Sequence, residues 1–330
     1  MKKIKHLMIW IGLLLSLVSC KDTMEAIGLG GDEIPAEGLV LNLQLTNFTK
    51  QQIGTRAESS ETFNSLWAVF YGDNNEYKGK TDCYSTLLQQ PDGSYKVKIL
   101  NIPAGTKNVH LVANASDMTK IEAQDLQSLT AAKERDPQLD APICWGKISI
   151  DKLLEANPSV TMLRQCAKIS LEIDKGIQSN FTNAGLYVYS MATKAAIAPA
   201  NYTDYTEPTT DDLAESTDLK TEDNPLGNGT ATTVAVNETS AGKAMVIIKA
   251  KYKKREEEDY REGYYKVALY KDNKKTTQYA LLRNHHYTIK VIKVNDYGFS
   301  TIEEAKKSQP ENRLEVEVRD DNPEITRMIA

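Results

Sequence analysis

A hydrophobic period of two constrains this chain more than any other feature. The stretch GLVLNLQLTNF puts Leu39, Leu41, Leu43 and Leu45 on one side of an extended backbone and Val40, Asn42 and Gln44 on the other. Successive side chains of a strand point to opposite faces, so a four-leucine face has to be covered by a core. Fully burying a leucine contributes roughly 1.5–3 kcal/mol, so this strand would supply on the order of 6–12 kcal/mol of burial. The alternation recurs in SYKVKIL, where Tyr95, Val97 and Ile99 oppose Lys96 and Lys98 after a PDGS turn. TKNVHLVAN, ICWGKISI and SVTMLRQ are also strand-like, and a second set runs from residue 167 through AKISLEID, AGLYVYSM, KAMVIIKAKY, YYKVALY, HYTIKVIKV and RLEVEV. One segment departs from this pattern. SDMTKIEAQDLQSLTAAK has helical spacing, with Ser116 or Asp117 as N-cap and Met118, Ile121 and Leu129 on one side.

Strands with a single helical insertion, rather than alternating β and α units, predict a mainly β chain built from two β-sandwich-like domains. At 330 residues the chain can supply a core to each. The boundary falls near residues 164–168, with Met162 to Ile173 running from one domain into the next. This gives an N-terminal β domain over 57–166, carrying the short helical insertion, and a C-terminal β domain over 167–330.

The N-terminus reads as an export signal. Lys2, Lys3 and Lys5 precede LMIWIGLLLSLV, a 12-residue apolar run from Leu7 to Val18. A bilayer span takes about 20 residues, whereas a run of this length suits the core of a secretion signal. It ends in LVSC, which resembles the lipobox of bacterial lipoproteins, so residues 1–20 read as a lipoprotein signal region, with the cut expected just before Cys20 and Cys20 left as the acylated N-terminal residue. An ordinary signal peptide with an incidental cysteine is the alternative. Residues 21–36, KDTMEAIGLGGDEIPA, are small and polar and read as a tether. Residues 21–56 therefore hold the tether and the leucine strand, a segment that would be lost by proteolysis if the chain is cut within the polar loop QQIGTRAESS (51–60) after it. Arg56 in that loop is either a solvated charge or a place where the chain is cut, and a polar loop is sterically easy to cut. The remaining cysteines, Cys83, Cys144 and Cys166, are odd in number and lack any CxxC spacing, and they read as small buried hydrophobes.

Composition narrows the function by exclusion. The net charge of −5 gives no basic field, and no nucleic-acid-binding module is visible. Of the four histidines, His6 leaves with the signal and His110 lies alone in a strand pattern. His285 and His286 are adjacent in RNHHYTIKV, so on a strand they face opposite ways and cannot jointly hold one metal. GxSxG, HExxH, P-loop and Rossmann patterns are absent, and no pair of carboxylates is set apart for acid–base work. Catalytic, cofactor and metal residues are accordingly none, and the chain is expected not to be an enzyme. The stretch 201–230 holds eight acidic residues against one lysine and reads as a mobile surface loop, with no DxDxDG spacing for calcium. KYKKREEEDYREG reads as a charged hairpin tip.

Several of these stretches together resemble the fimbrillin family, the type V pilin subunits of Gram-negative bacteria and their anchor and tip relatives. The resemblance is carried by the LVSC lipobox, the GTRAES loop after the leucine strand and MLRQCAKISLEI at the junction. LLRNHHYTIKVIKVNDYGFSTIEEA and NRLEVEVRDDNPEI carry it further, so it spans nearly the whole chain. It implies two transthyretin-like β-sandwich domains and export to the outer membrane as a palmitoylated lipoprotein on Cys20. It also implies cleavage at Arg56–Ala57 by an Arg-specific surface protease. Loss of the lipidated strand would then open a groove for a β-strand of a neighbouring fimbrial subunit. On this resemblance the chain is a shaft, accessory or tip subunit of a surface fimbria, with host or bacterial surface ligands as further partners. A lipid-retaining fimbrial anchor and a glycan-binding surface lipoprotein are the alternatives. A glycan binder would display aromatic platforms, whereas Trp67 and Trp145 lie in apolar strand patterns. Leu314, Val316 and Val318 alternate with charged residues and suit a donor strand. They equally suit the last strand of the second domain's own sheet.

Overall fold

The computed structural model describes residues 37–45, 62–115, 118, 133–134, 138–192, 194–199, 210, 224–271, 274–310 and 313–321. All belong to one unit, Ile34–Ala330. Cys20, the tether, Arg56, Ala57, most of the expected helical insertion and most of the acidic stretch lie outside the described residues.

The chain is mainly β. Its first half contributes β1 (Leu39–Leu45), β2 (Leu66–Tyr71), β3 (Tyr77–Asp82), β4 (Leu88–Gln89), β5 (Tyr95–Ile99), β6 (Asn108–Ala113), β7 (Lys133–Glu134), β8 (Cys144–Ser149) and β9 (Ser159–Arg164). Eight of these form one sheet in the order β3-β2-β6-β8-β9-β1-β5-β4. β8 meets β9 through only two pairs, Cys144↔Arg164 and Trp145↔Leu163, and there the sheet turns a corner. Gly146 permits that corner, because a Cβ on it would lie 2.8 Å from Met162 Sδ and 3.0 Å from the Thr161 carbonyl. The two halves of the sheet thus share one core. Leu66, Phe70, Leu111 and Ile148 come from one half, and Leu41, Leu43, Val97, Ile99 and Met162 from the other. The outer face of β2, β6 and β8 is buried too, as Val69, Val112 and Trp145 pack with Leu163, Ile197 and Ala198.

The second half contributes β10 (Cys166–Ile173), β11 (Phe181–Tyr189), β12 (Lys194–Ala195), β13 (Thr233–Asn237), β14 (Met245–Tyr252), β15 (Arg261–Val267), β16 (His286–Val294) and β17 (Leu314–Asp320). Two sheets, β13-β10-β16-β17 and β11-β14-β15, enclose a core that includes Ile169, Leu186, Val236, Ile248, Tyr287 and Ile289. β12 pairs separately with β7. The charged hairpin tip expected from Lys251 to Gly263 is the turn at 253–260, and both flanking strands extend into the expected segment.

Two short helices had no helical expectation. The ICWGKISI segment stops being strand at Ser149, whose side chain caps α1 (Ile150–Leu153). α2 (Ile302–Lys307) starts at a capping box in which Thr301 and Glu304 each satisfy the other's backbone N–H. It lays Ala305 and Ile302 against Tyr189 and Ile247. The T-x-x-E spacing was readable in the sequence. Cys83, Cys144 and Cys166 are all buried.

Candidate functional site

The leucine strand is interior to the larger sheet. β1 runs antiparallel to β5, with Leu39↔Ile99, Leu41↔Val97 and Leu43↔Tyr95, and parallel to β9, with Leu43↔Val160 and Leu45↔Met162. Leu41 and Leu43 are fully buried, and Leu39 and Leu45 are half-buried against the same core. Two complete leucine burials contribute about 3–6 kcal/mol, with a smaller share from the other two. The opposite face is wet, and Val40 is 52% exposed. Asn42 fixes the register, its backbone N–H and its Nδ2 both donating to the Pro158 carbonyl at 2.9 and 3.1 Å. At the entry, Gly38 takes φ +83°, and a Cβ there would meet the Ile99 carbonyl at 2.4 Å.

The connection out of β1 matters as much as the strand's burial. In the sheet order three strands, β6, β8 and β9, stand between β1 and β2, which is the next strand in sequence. Residues 46–61, where Arg56 and Ala57 fall, are the sole covalent link between the two. A break there would leave β1 attached to the rest by packing and hydrogen bonds only. Its departure would unpair the facing edges of β5 and β9 and open an apolar groove between them.

β17 carries Leu314, Val316 and Val318. It pairs antiparallel with β16 from Val294↔Leu314 to Tyr287↔Asp320 and is the last strand of its own sheet. Leu314 is buried, and Val316 and Val318 are half-buried against the second core. The three residues therefore already have a home within this chain.

A buried polar cluster joins the two halves at the junction, and sequence reasoning missed it. Only Gln165 separates β9 from β10, and its Nε2 donates to the Ala195 carbonyl at 2.5 Å. Arg164 is 1% exposed and donates through its backbone N–H and its Nη1 to Asn284 Oδ1 at 3.2 and 3.1 Å. Arg283, also 1% exposed, holds both carboxylate oxygens of Glu238, from Nε at 2.9 Å and from Nη2 at 2.5 Å. It also donates to the carbonyls of Ile197 and Ala196 at 3.0 and 3.2 Å. A charge this deep is stable only when paired and hydrogen-bonded, and removing one partner of such a pair costs about 3–5 kcal/mol. The signal lay in MLRQ and LLRN, where each arginine directly follows two apolar residues.

The histidines are structural. His110 is 1% exposed on β6, and its Nδ1 accepts the Trp145 indole N–H at 3.0 Å. Burial, with a small contribution from Lys147, holds its pKa down at about 3. His285 Nδ1 lies 2.7 Å from Asp320 Oδ2, while His286 Nε2 lies 2.8 Å from Ser170 Oγ, so the neighbours serve separate partners. No group of three or more metal-ligating side chains occurs among the described residues. Burial raises the Cys83 thiol to about 12, leaving it an unreactive core group. Trp145 is buried and Trp67 half-buried.

No family model and no curated protein matches this sequence. Solved structures do match the fold. Fimbrilin from Porphyromonas gingivalis W83 aligns over 87% of this chain and 98% of its own, at 15% identity and a TM-score of 0.53. A fimbrial assembly protein from Parabacteroides distasonis ATCC 8503 aligns over 86% and 99%, at 14% identity and TM-score 0.51. A candidate cell adhesion protein from Bacteroides eggerthii DSM 20697 aligns over 88% and 98%, at 12% identity and TM-score 0.51. Across the two halves and the junction between them, this chain has the fold of fimbrilin and its structural relatives.

Proposed function

We propose that this protein is a non-enzymatic structural subunit of a cell-surface fimbria, assembled by β-strand exchange at the place of β1. The observation that carries the reading is the position of β1. An interior strand of a core sheet, linked onward only through residues 46–61, is one whose removal creates a strand-shaped vacancy. Addition of a strand from another subunit repairs both the unpaired edges and the open core. The fimbrial names of the structural neighbours support this, as does the order of the LVSC, GTRAES and MLRQCAKISLEI motifs. Trp145 is buried and Trp67 half-buried in the first half, which favours core packing for both over an open glycan platform.

In this reading the precursor is exported as a lipoprotein acylated on Cys20 and held at the outer membrane. An Arg-specific surface protease cuts Arg56–Ala57, and the mature subunit comprises an N-terminal domain over 57–166 and a C-terminal domain over 167–330. Intact-mass analysis of fimbriae sheared from cells tests it. The expected N-terminus is Ala57. Assembled protein that begins with an acylated Cys20 would overturn the cleavage step.

A further inference from the structure

The second half of the chain holds an open seam that the fimbrial reading does not use. Among the described residues β17 ends one sheet and pairs with β16 alone, while β15 ends the facing one, paired with β14 and bridged at Tyr264 alone to Phe299. Together they line a groove of about 660 Å³, within the range of natural binding sites. Its floor is the margin of the second core. Val267 and Leu314 are buried there, while Val316 and Val318 are only half-covered, and Ile292 on β16 is 38% exposed at the groove. From Leu314 to Val318 the free edge is about 17 Å long, enough to template a short strand.

The charges on the outer face of this sheet select what could lie there. β16 and β17 set Lys293 opposite Glu315 and Lys290 opposite Glu317, so basic and acidic strands already alternate across the sheet. The Lys290 ammonium is held by Asp174 at 2.8 Å. Glu315 and Glu317 are exposed, and a strand added beyond them would place its own outward side chains directly alongside. Two lysines of the facing wall have partners of their own. Lys266 donates to the carbonyls of Lys306 and Ser308, and Lys271 lies over the Tyr279 ring. Lys275 also stands at the groove.

We propose that the β15–β17 seam is a second strand-accepting site, taking along β17 an extended segment of another polypeptide in which apolar side chains alternate with basic ones. The apolar residues would complete the core margin at Val267, Val316 and Val318. The basic ones would meet Glu315 and Glu317, and the backbone would continue the sheet. The proposal does not depend on cleavage at Arg56 or on replacement of β1, so its test is separate from that of the fimbrial reading.

The experiment uses the full chain and two labelled synthetic peptides, KVKVKVK and EVEVEVE, with fluorescence anisotropy for affinity and amide hydrogen exchange for location. The basic peptide is expected to bind saturably, at least about tenfold tighter than the acidic one, and to slow exchange at residues 314–318. The variant E315K/E317K, changed only at exposed positions, is expected to reverse that order. Equal affinity for both peptides, or protection appearing at β3 or β4 instead, would overturn the proposal. So would an absence of saturable binding to the wild-type protein, which would leave Glu315 and Glu317 as charges that merely guard a sheet edge. The wild-type measurements stand by themselves if the double variant melts differently.

Discussion

At the scale of single residues, the buried polar groups do structural work, and His110 makes that measurable. Its folded pKa, near 3, lies well below the ordinary value of about 6.5, because the ring is desolvated beside Trp145. The unfolded chain therefore binds more protons than the folded one between these values, so stability falls as the pH is lowered from 6.5 towards 3. Above about pH 6.5 the group is neutral in both states and contributes no pH dependence. For one such residue the slope approaches about 1.4 kcal/mol per pH unit in the middle of the window. The variant His110→Asn puts its Oδ1 acceptor at the place of Nδ1, within reach of the indole N–H. It should melt with a shallower loss of stability between pH 6.5 and 4 than the wild type, as read by chemical denaturation at several pH values. An unchanged slope would mean that His110 is not held neutral by burial. Arg164 and Arg283 act at the same scale but left little trace in the sequence. An arginine is ordinarily a surface residue, and the groups that bury these two lie 45 to 120 positions away.

At the scale of elements, β1 was legible and its surroundings were not. Its two faces have opposite fates, core and water, so the leucines alternate visibly. β2 and β6 are buried on both faces, one against each core cluster, and LWAVFY and NVHLVA consequently have no period to read. The place of β1 between β5 and β9 depends on pairing partners more than fifty residues away in β5 and more than a hundred away in β9. No local pattern encodes that. The alternation of β17 was equally visible but does not distinguish a strand lent to a neighbour from one retained; in this chain it pairs with β16. For β1 the consequence is testable. Leu43→Asp puts a carboxylate into a fully buried site, and Leu43→Ala should already cost about 2–5 kcal/mol. Precursor carrying Leu43→Asp is expected to lose its cooperative melt or drop far in midpoint. A wild-type melting curve would show that β1 is not part of the precursor's stable fold.

At the scale of the whole molecule, the decisive variable in the proposed strand exchange is whether β1 is tied to the chain that packs around it. While residues 46–61 are intact, the strand competes for its slot at a high effective concentration that an outside strand cannot match. Arg56→Ala is therefore expected to yield a folded, secreted monomer. Wild-type precursor should convert to detergent-resistant polymers once treated with an Arg-specific protease. Fimbriae forming at the normal rate from Arg56→Ala would make Arg56 an ordinary surface charge. The slot has a mechanical character as well. Inter-strand hydrogen bonds run across the strand direction, and β1 holds five register pairs with β5 on one flank and four with β9 on the other. Tension applied end-on along such a strand loads both ladders in shear, so its bonds resist together. A two-residue margin such as β4 can instead be peeled away pair by pair. In the proposed assembly, whichever chain fills this position would slide only under loads that unzip the rim of the sheet, which would make the slot a tensile fastener as much as a recognition site.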